Sequence, residues 1–122
     1  MRTTYTIDLP PMPEAFHEAV RALLTREKYK ETRYVNPETG ADETVWKFSN
    51  IMLLPRYIKL EYTPTQLVIS GWMEGKSSLF AKKKPEWSLD GGPLTYGYGV
   101  KESNRRVIEK IIALADQGRQ AK

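Results

Sequence analysis

Few residues of this 122-residue chain belong to the types that perform catalysis. His17 is the only histidine, and the surrounding apolar spacing predicts that it lies on the solvent side of a helix. The chain contains no cysteine, which excludes disulfides and thiolate ligands. The carboxylates show no spacing typical of paired acid–base catalysis: Asp8, Asp42, Glu43, Glu61, Glu74, Glu86 and Asp90. We therefore predict no catalytic residue, no metal site and no cofactor.

Two glycine segments are candidates for ligand contact. Asp90-Gly91-Gly92 is typical of a tight turn, with a ligand loop as the alternative. Gly97-Tyr98-Gly99 precedes the last predicted helix, where backbone N–H groups can bind phosphate. The spacing of a P-loop or a dinucleotide fingerprint is missing, so a glycine-rich hinge is the favoured interpretation.

Basic residues are concentrated in the second half of the chain. Residues 1–61 hold nine Lys/Arg and nine Asp/Glu, whereas residues 62–122 hold ten and six. Basic side chains neutralise phosphates, and neighbouring aromatic rings stack on bases. One alternative function is therefore nucleic-acid or anionic-surface binding, against the plainer interpretation of a solvated loop. Its candidate residues are Lys82, Lys83, Lys84, Lys101, Arg105 and Arg106, with Phe80 and Trp87 beside the lysine run.

A hairpin over residues 57–74 organises the predicted fold. Apolar residues alternate on both sides of Pro64, which suits the second position of a turn. Pairing outward from that turn places Leu60 opposite Ile69 on a buried face. The other face carries Tyr57 opposite Trp72. A slip of one residue would exchange the two faces, so the register is well specified.

The remaining pattern predicts a strand, a helix and two further strands before this hairpin. One helix follows it. The expected ranges are a strand over 3–9, a helix over 13–27, strands over 29–35 and 44–49, and a last helix capped by Ser103 or Asn104. Residues 50–55 read as a buried connection or bulge, or alternatively as an exposed apolar loop. Residues 75–99 lack periodicity, apart from a possible short strand near 94–98.

We predict an α+β fold. A single antiparallel sheet of about five strands has two helices packed on one face, in the order β-α-β-β-β-β-α. Residues 1–118 form one domain, and 119–122 form a flexible tail after Gly118. This order resembles the β-α-β4-α plan of TATA-binding-protein-like and helix-grip domains. The segments over 58–64 and 69–72 are similar to those of small uncharacterised bacterial domains, a resemblance that implies no activity.

Aromatic residues without a catalytic partner favour a non-enzymatic protein-interaction or small-ligand-binding module. Self-association through the sheet or the 75–99 loop, giving a homodimer, is one form of this prediction. The candidate binding residues are Tyr57, Trp72, Phe80, Trp87, Tyr96 and Tyr98. No run of apolar residues reaches the length of a membrane span. The lack of cysteine and of a signal-peptide pattern favours a cytoplasmic location.

Overall fold

The structure is a computed structural model that describes residues 2–50, 53–75, 85–92 and 97–120. The described chain forms six strands and two helices. In chain order they are β1 (Thr3–Asp8), α1 (Glu14–Arg26), β2 (Lys30–Val35), β3 (Asp42–Asn50), β4 (Leu53–Tyr62), β5 (Gln66–Glu74), β6 (Glu86–Trp87) and α2 (Tyr98–Gln120). Neither helix combines the length and the apolarity that a membrane crossing requires.

The strands form one antiparallel sheet in the order β1-β5-β4-β3-β2, and β6 pairs with β5 beyond the end of β1. Both helices pack on one face, so the predicted α+β fold is confirmed. The sixth strand, β6, lies within the aperiodic stretch. Two residues are too few to show an alternating pattern, which is why the sequence did not reveal this strand.

The central hairpin has the predicted register. Leu60 pairs with Ile69, and Tyr57 pairs with Trp72. Thr63 closes the turn, because its backbone N–H donates to the carbonyl of Gln66 at 2.9 Å and its Oγ1 accepts from the Gln66 N–H at 2.9 Å. The buried side chains of Leu67 and Ile69 then face the helices, in what we call the helix face of the sheet.

The two helices run in opposite directions across the helix face. Gly118 near the end of α2 lies against Met12 and Phe16 at the start of α1. In mid-sheet, a Cβ at Gly71 would lie 2.7 Å from a side-chain carbon of Ile108 on α2. The missing side chain of Gly71 therefore permits a close approach of α2.

The predicted start of the last helix is wrong. The helix begins at Tyr98 rather than at Ser103 or Asn104, and Gly97 precedes it with a φ of +74°. Asn104 is not a cap, because it lies buried inside the helix and bonds to groups outside it. The helix also continues through Gly118 to Gln120, two residues beyond the expected end.

Strands β3 and β4 leave only residues 51 and 52 between them, and these two lie outside the described residues. Most of the expected 50–55 connection is therefore strand. The register shifts between Phe48 and Asn50, and Pro55 falls in this irregular part of the ladder. Proline lacks a backbone N–H and is tolerated in strands at such bulges. The predicted short strand near 94–98 lies outside the described residues, except for Gly97 and Tyr98 at the start of α2.

Candidate functional site

The face of the sheet opposite the helices, which we call the outer face, carries an aromatic cluster that includes the predicted Tyr57–Trp72 pair. Tyr57 and Trp72 stack with ring centroids 5.4 Å apart and an interplanar angle of 16°. Tyr34 packs against both rings, and Val45 completes the cluster. Tyr57 is 5% exposed and Trp72 is 0% exposed, so the cluster forms a second small core within the chain.

Arg2 covers this outer-face cluster. Its guanidinium lies 3.7 Å from the centroid of the Trp72 ring, a cation–π contact. Two carboxylates hold it there, with Arg2 Nη2 lying 2.6 Å from Glu43 and 2.7 Å from Glu86. Lys59 adds a second cation at 2.6 Å from Glu43. The rings are thus covered by paired charges of the same chain.

The ionisation of the cluster follows from these contacts. The hydrogen bond from Arg2, with a further one from Lys59, lowers the pKa of Glu43 from 4.5 to about 2 despite the opposing effect of burial. Burial alone would lower the pKa of Arg2, but its hydrogen bonds to Glu86 and Glu43 outweigh that effect and raise it. Burial, together with the hydrogen bond donated to Glu86, raises the pKa of Tyr34. All three groups keep their ordinary charge states at neutral pH.

The other predicted aromatic residues do not join Tyr57 and Trp72. Trp87 pairs with Met73, which places it on the helix face, and its indole lies over Gly75. Tyr98 is half-buried at the start of α2, with the guanidinium of Arg105 5.8 Å from its ring centroid. Phe80 and Tyr96 lie outside the described residues.

The predicted anion-binding residues at the start of α2 have structural partners. Lys101 is buried, and its Nζ donates to the carbonyl of Asp90 at 2.9 Å. Arg105 donates to the carbonyl of Leu89 and pairs with Glu102. These two cations fasten the 85–92 segment to α2. Arg106 is exposed, and Lys82, Lys83 and Lys84 lie outside the described residues.

A groove between α1 and the sheet, which we call the α1 groove, was not predicted. It encloses a hollow of about 170 Å³ lined by residues of α1, β2, β3 and β4, namely His17, Val20, Arg21, Glu31, Thr44, Trp46, Leu60 and Tyr62. A second hollow of about 370 Å³ adjoins it and is lined by Leu9, Pro10, Pro11, Met12, His17, Tyr62, Thr63, Pro64 and Gln66. His17 and Tyr62 line both hollows.

The His17 and Tyr62 rings form the ridge between the two hollows. They meet edge to face, with centroids 4.6 Å apart and an interplanar angle of 85°. His17 was expected to be an exposed helix residue, but it is half-buried between this ring and Phe16. Tyr62 is 42% exposed and is one of only two large apolar side chains in the described residues that are exposed. The groove therefore presents an aromatic surface to solvent.

The groove follows from the position of the helices over the sheet. Asn104 of α2 donates to the carbonyls of Tyr57 and Trp72, which places α2 over β4 and β5. Helix α1 alone extends toward β3 and β2 and leaves the helix-face side chains there incompletely covered. Trp46 is consequently half-buried and Thr44 is exposed.

A buried polar network lies at the opposite end of β4 and was also missed. Tyr29 donates from its hydroxyl to Asn104 at 2.5 Å and accepts a hydrogen bond from Arg56 Nε at 2.8 Å. Burial, only partly opposed by Arg56, raises the pKa of Tyr29 to about 12. One sequence signal marks this network: alternation extended back from Ile58 puts Arg56, a charged residue, on the helix face.

Within the described ranges, no group of three or more His, Asp or Glu side chains is arranged to hold a metal ion. Comparison with protein-family models, with curated proteins and with solved structures finds no match for this chain. The resemblance to TATA-binding-protein-like and helix-grip domains stays a prediction made from the element order. Any function must accordingly be argued from the chain's own geometry.

Proposed function

We propose that the protein is a non-enzymatic ligand-binding module whose α1 groove binds a small aromatic ligand. The observation that carries the proposal is the His17–Tyr62 pair, which stands between two adjoining hollows and presents ring surface to both. Small-molecule sites are typically concave, lined mainly by apolar and aromatic groups, and bordered by a few polar ones.

The groove offers aromatic contacts on more than one side of a bound ring. Trp46 and Leu60 lie on the helix face of the sheet, and Tyr62 and His17 form the ridge. Aromatic pairs in stacked or edge-to-face arrangements gain about 0.5–1.5 kcal/mol beyond the burial of their area. A planar ligand that contacts these rings therefore binds more strongly than an aliphatic ligand of the same size.

The polar rim orients such a ligand without adding net charge. Arg21 forms an ion pair with Glu14 on α1, so its charge is partly balanced. Glu31 and Thr44 line the opposite side and are exposed. A neutral ligand with one amide or hydroxyl group matches this rim better than a multiply charged one.

Two carboxylates of the outer face have a structural role, which supports a binding module over an enzyme. Glu43 and Glu86 hold Arg2 over Trp72. Tyr57 and Trp72 are covered within one chain, so self-association through these rings is not part of the proposal. The proposal includes a cytoplasmic location, which the absence of cysteine favours, and a bacterial origin, which rests on the likeness of residues 58–64 and 69–72 to small bacterial domains.

The three tryptophans allow a direct test. The protein is labelled with 5-fluorotryptophan, and its ¹⁹F spectrum is followed while benzamide or indole is added. Only Trp46 lines the α1 groove, whereas Trp72 is buried on the outer face and Trp87 lies on β6. We expect a saturable shift of the Trp46 signal alone.

Two variants make the test specific. Tyr62→Ser removes ring surface from the ridge and should weaken binding by about tenfold. Val35→Ser removes an exposed apolar side chain, 60% exposed and outside the groove, and should leave binding unchanged. The proposal is wrong if no probe shifts Trp46 at millimolar concentration, or if all three tryptophan signals move together.

A further inference from the structure

Arg56 occupies a position where a charged side chain is unusual. It pairs with Phe48 on β3 and Met73 on β5, and it shares the helix face with Ile58. Only 7% of its surface is exposed. It lies six positions before Tyr62 in β4, roughly 20 Å along the strand, so the site is independent of the α1 groove and of the function proposed for it.

The guanidinium of Arg56 is held in one orientation. Its Nε donates to the Tyr29 hydroxyl at 2.8 Å, and its Cζ lies 3.8 Å from the centroid of the Phe48 ring. Tyr29 is fixed in turn by Asn104, whose Nδ2 donates to the carbonyl of Tyr57 at 2.9 Å. Such a group loses little conformational entropy when it binds a ligand.

No Asp or Glu side chain neutralises Arg56. All fifteen Asp and Glu residues lie in the described ranges, and none of them is within ion-pair distance of this guanidinium. A buried charge without a counter-ion is costly, because the protein interior replaces its hydration poorly. An anion from solution that paired with Arg56 would offset that cost.

The terminal nitrogens of Arg56 are open to a ligand. Nε donates to the Tyr29 hydroxyl, whereas Nη1 and Nη2 have no protein partner in the described residues. Trp72 Nε1 is the only fully buried side-chain polar atom without a partner in this same part of the chain. The two Nη atoms therefore keep contact with solvent, although the residue as a whole is buried.

We propose that Arg56 binds an oxyanion group of a small molecule, a carboxylate or a phosphate monoester, through Nη1 and Nη2. The guanidinium presents parallel N–H groups that match two oxygens of such an anion. Phe48 supports the face of the guanidinium and Tyr29 holds its Nε, so the end carrying Nη1 and Nη2 is the part left for recognition.

The experiment follows the Nε–Hε signals of the arginines in ¹⁵N-labelled protein at pH 7. Methyl phosphate, inorganic phosphate and acetate are titrated separately, and sodium chloride is titrated at the same ionic strength. The signal that disappears in Arg56→Lys identifies Arg56. We expect this signal to shift saturably with an oxyanion and not with chloride. Saturation by the phosphates alone identifies a phosphate site, and saturation by acetate alone identifies a carboxylate site.

Charge-matched variants separate recognition from general attraction. Arg33→Lys makes the same substitution at an arginine whose side chain is 83% exposed, and should leave the affinity unchanged. Arg56→Lys keeps the charge but loses the paired N–H groups, and should weaken binding by about tenfold. Binding that is as tight in Arg56→Lys as in Arg33→Lys overturns the proposal. If Arg56→Lys does not fold, the Arg56 signal is assigned in the unmodified protein from its nuclear Overhauser contacts with the Phe48 ring, and a signal that follows chloride and oxyanions alike overturns the proposal equally.

Discussion

The ion pairs that cover Trp72 make the stability of this protein depend on pH in a predictable range. Glu43 is 9% exposed at its side chain, and its pKa falls from 4.5 to about 2 on folding. One pKa unit corresponds to about 1.36 kcal/mol, so the ionised Glu43 stabilises the folded state by about 3 kcal/mol. Glu43→Gln should lower the free energy of unfolding at pH 7 by about this amount.

The sign of the pH dependence follows from the direction of the shift. Because folding lowers the pKa of Glu43, its contribution is fully present above about pH 5 and is lost as the pH falls toward 2. The unmodified protein should therefore lose about 3 kcal/mol of stability over this range through Glu43. In Glu43→Gln this part of the pH dependence should disappear.

Urea unfolding, followed by tryptophan fluorescence at several pH values between 7 and 2.5, measures both quantities. Glu109→Gln is the matched control, since it removes an exposed carboxylate of α2 and should change stability by no more than about 0.5 kcal/mol. If the curve of free energy against pH for Glu43→Gln ran parallel to that of the unmodified protein, the stabilisation assigned to the Arg2–Glu43 pair would be refuted.

Three further predictions concern the packing and the alternative function. Gly71→Ala should destabilise the fold by about 1–3 kcal/mol in urea unfolding, because its Cβ meets side chains of α2 and of the 85–92 segment. Gly99 lies in α2 with open space around its Cα, so Gly99→Ala should instead be neutral or stabilising by up to about 1 kcal/mol. If both variants changed the free energy of unfolding equally, the close packing of α2 on Gly71 would be contradicted. Tyr29→Phe should cost about 1–3 kcal/mol, since the partners of its hydroxyl are buried; an unchanged urea midpoint would show that the network contributes no stability. If the protein binds nucleic acid, changing Lys82–Lys84 to alanine should abolish fluorescence-anisotropy binding of a single-stranded oligonucleotide at low salt, and an unmodified protein that does not bind removes that alternative.

The sequence predicted the fold where side chains alternate regularly. Leu60, Ile69, Tyr57 and Trp72 lie on the expected faces in the expected register, because period-two patterning and a proline turn are local signals. The start of α2 was mispredicted because Gly97 and Gly99 resemble a loop, while Asn104 resembles a cap. The observed role of Asn104 depends on Tyr29 and on strand carbonyls that are distant in sequence.

The outer-face cluster was predicted only in part, for a similar reason. The sequence predicts that Tyr57 and Trp72 are neighbours, but it does not indicate what covers their rings. Arg2 lies 41 positions before Glu43 and 84 positions before Glu86, so no local pattern connects these residues. The α1 groove likewise depends on how far α1 reaches across the sheet, a packing property that side-chain periodicity does not specify.

The pairing of β1 with β5 predicts the order in which the strands join the sheet during folding. Strands β2 to β5 follow one another as neighbouring hairpins, whereas Thr3 must find Gly71 across more than sixty residues. Closing so long a loop costs more entropy than closing a hairpin, so β1 should add to the sheet after the hairpins form. Arg2 reaches the indole of Trp72 only once β1 is in place. A change in the fluorescence of Trp72 should therefore report the addition of β1, the final stage of refolding.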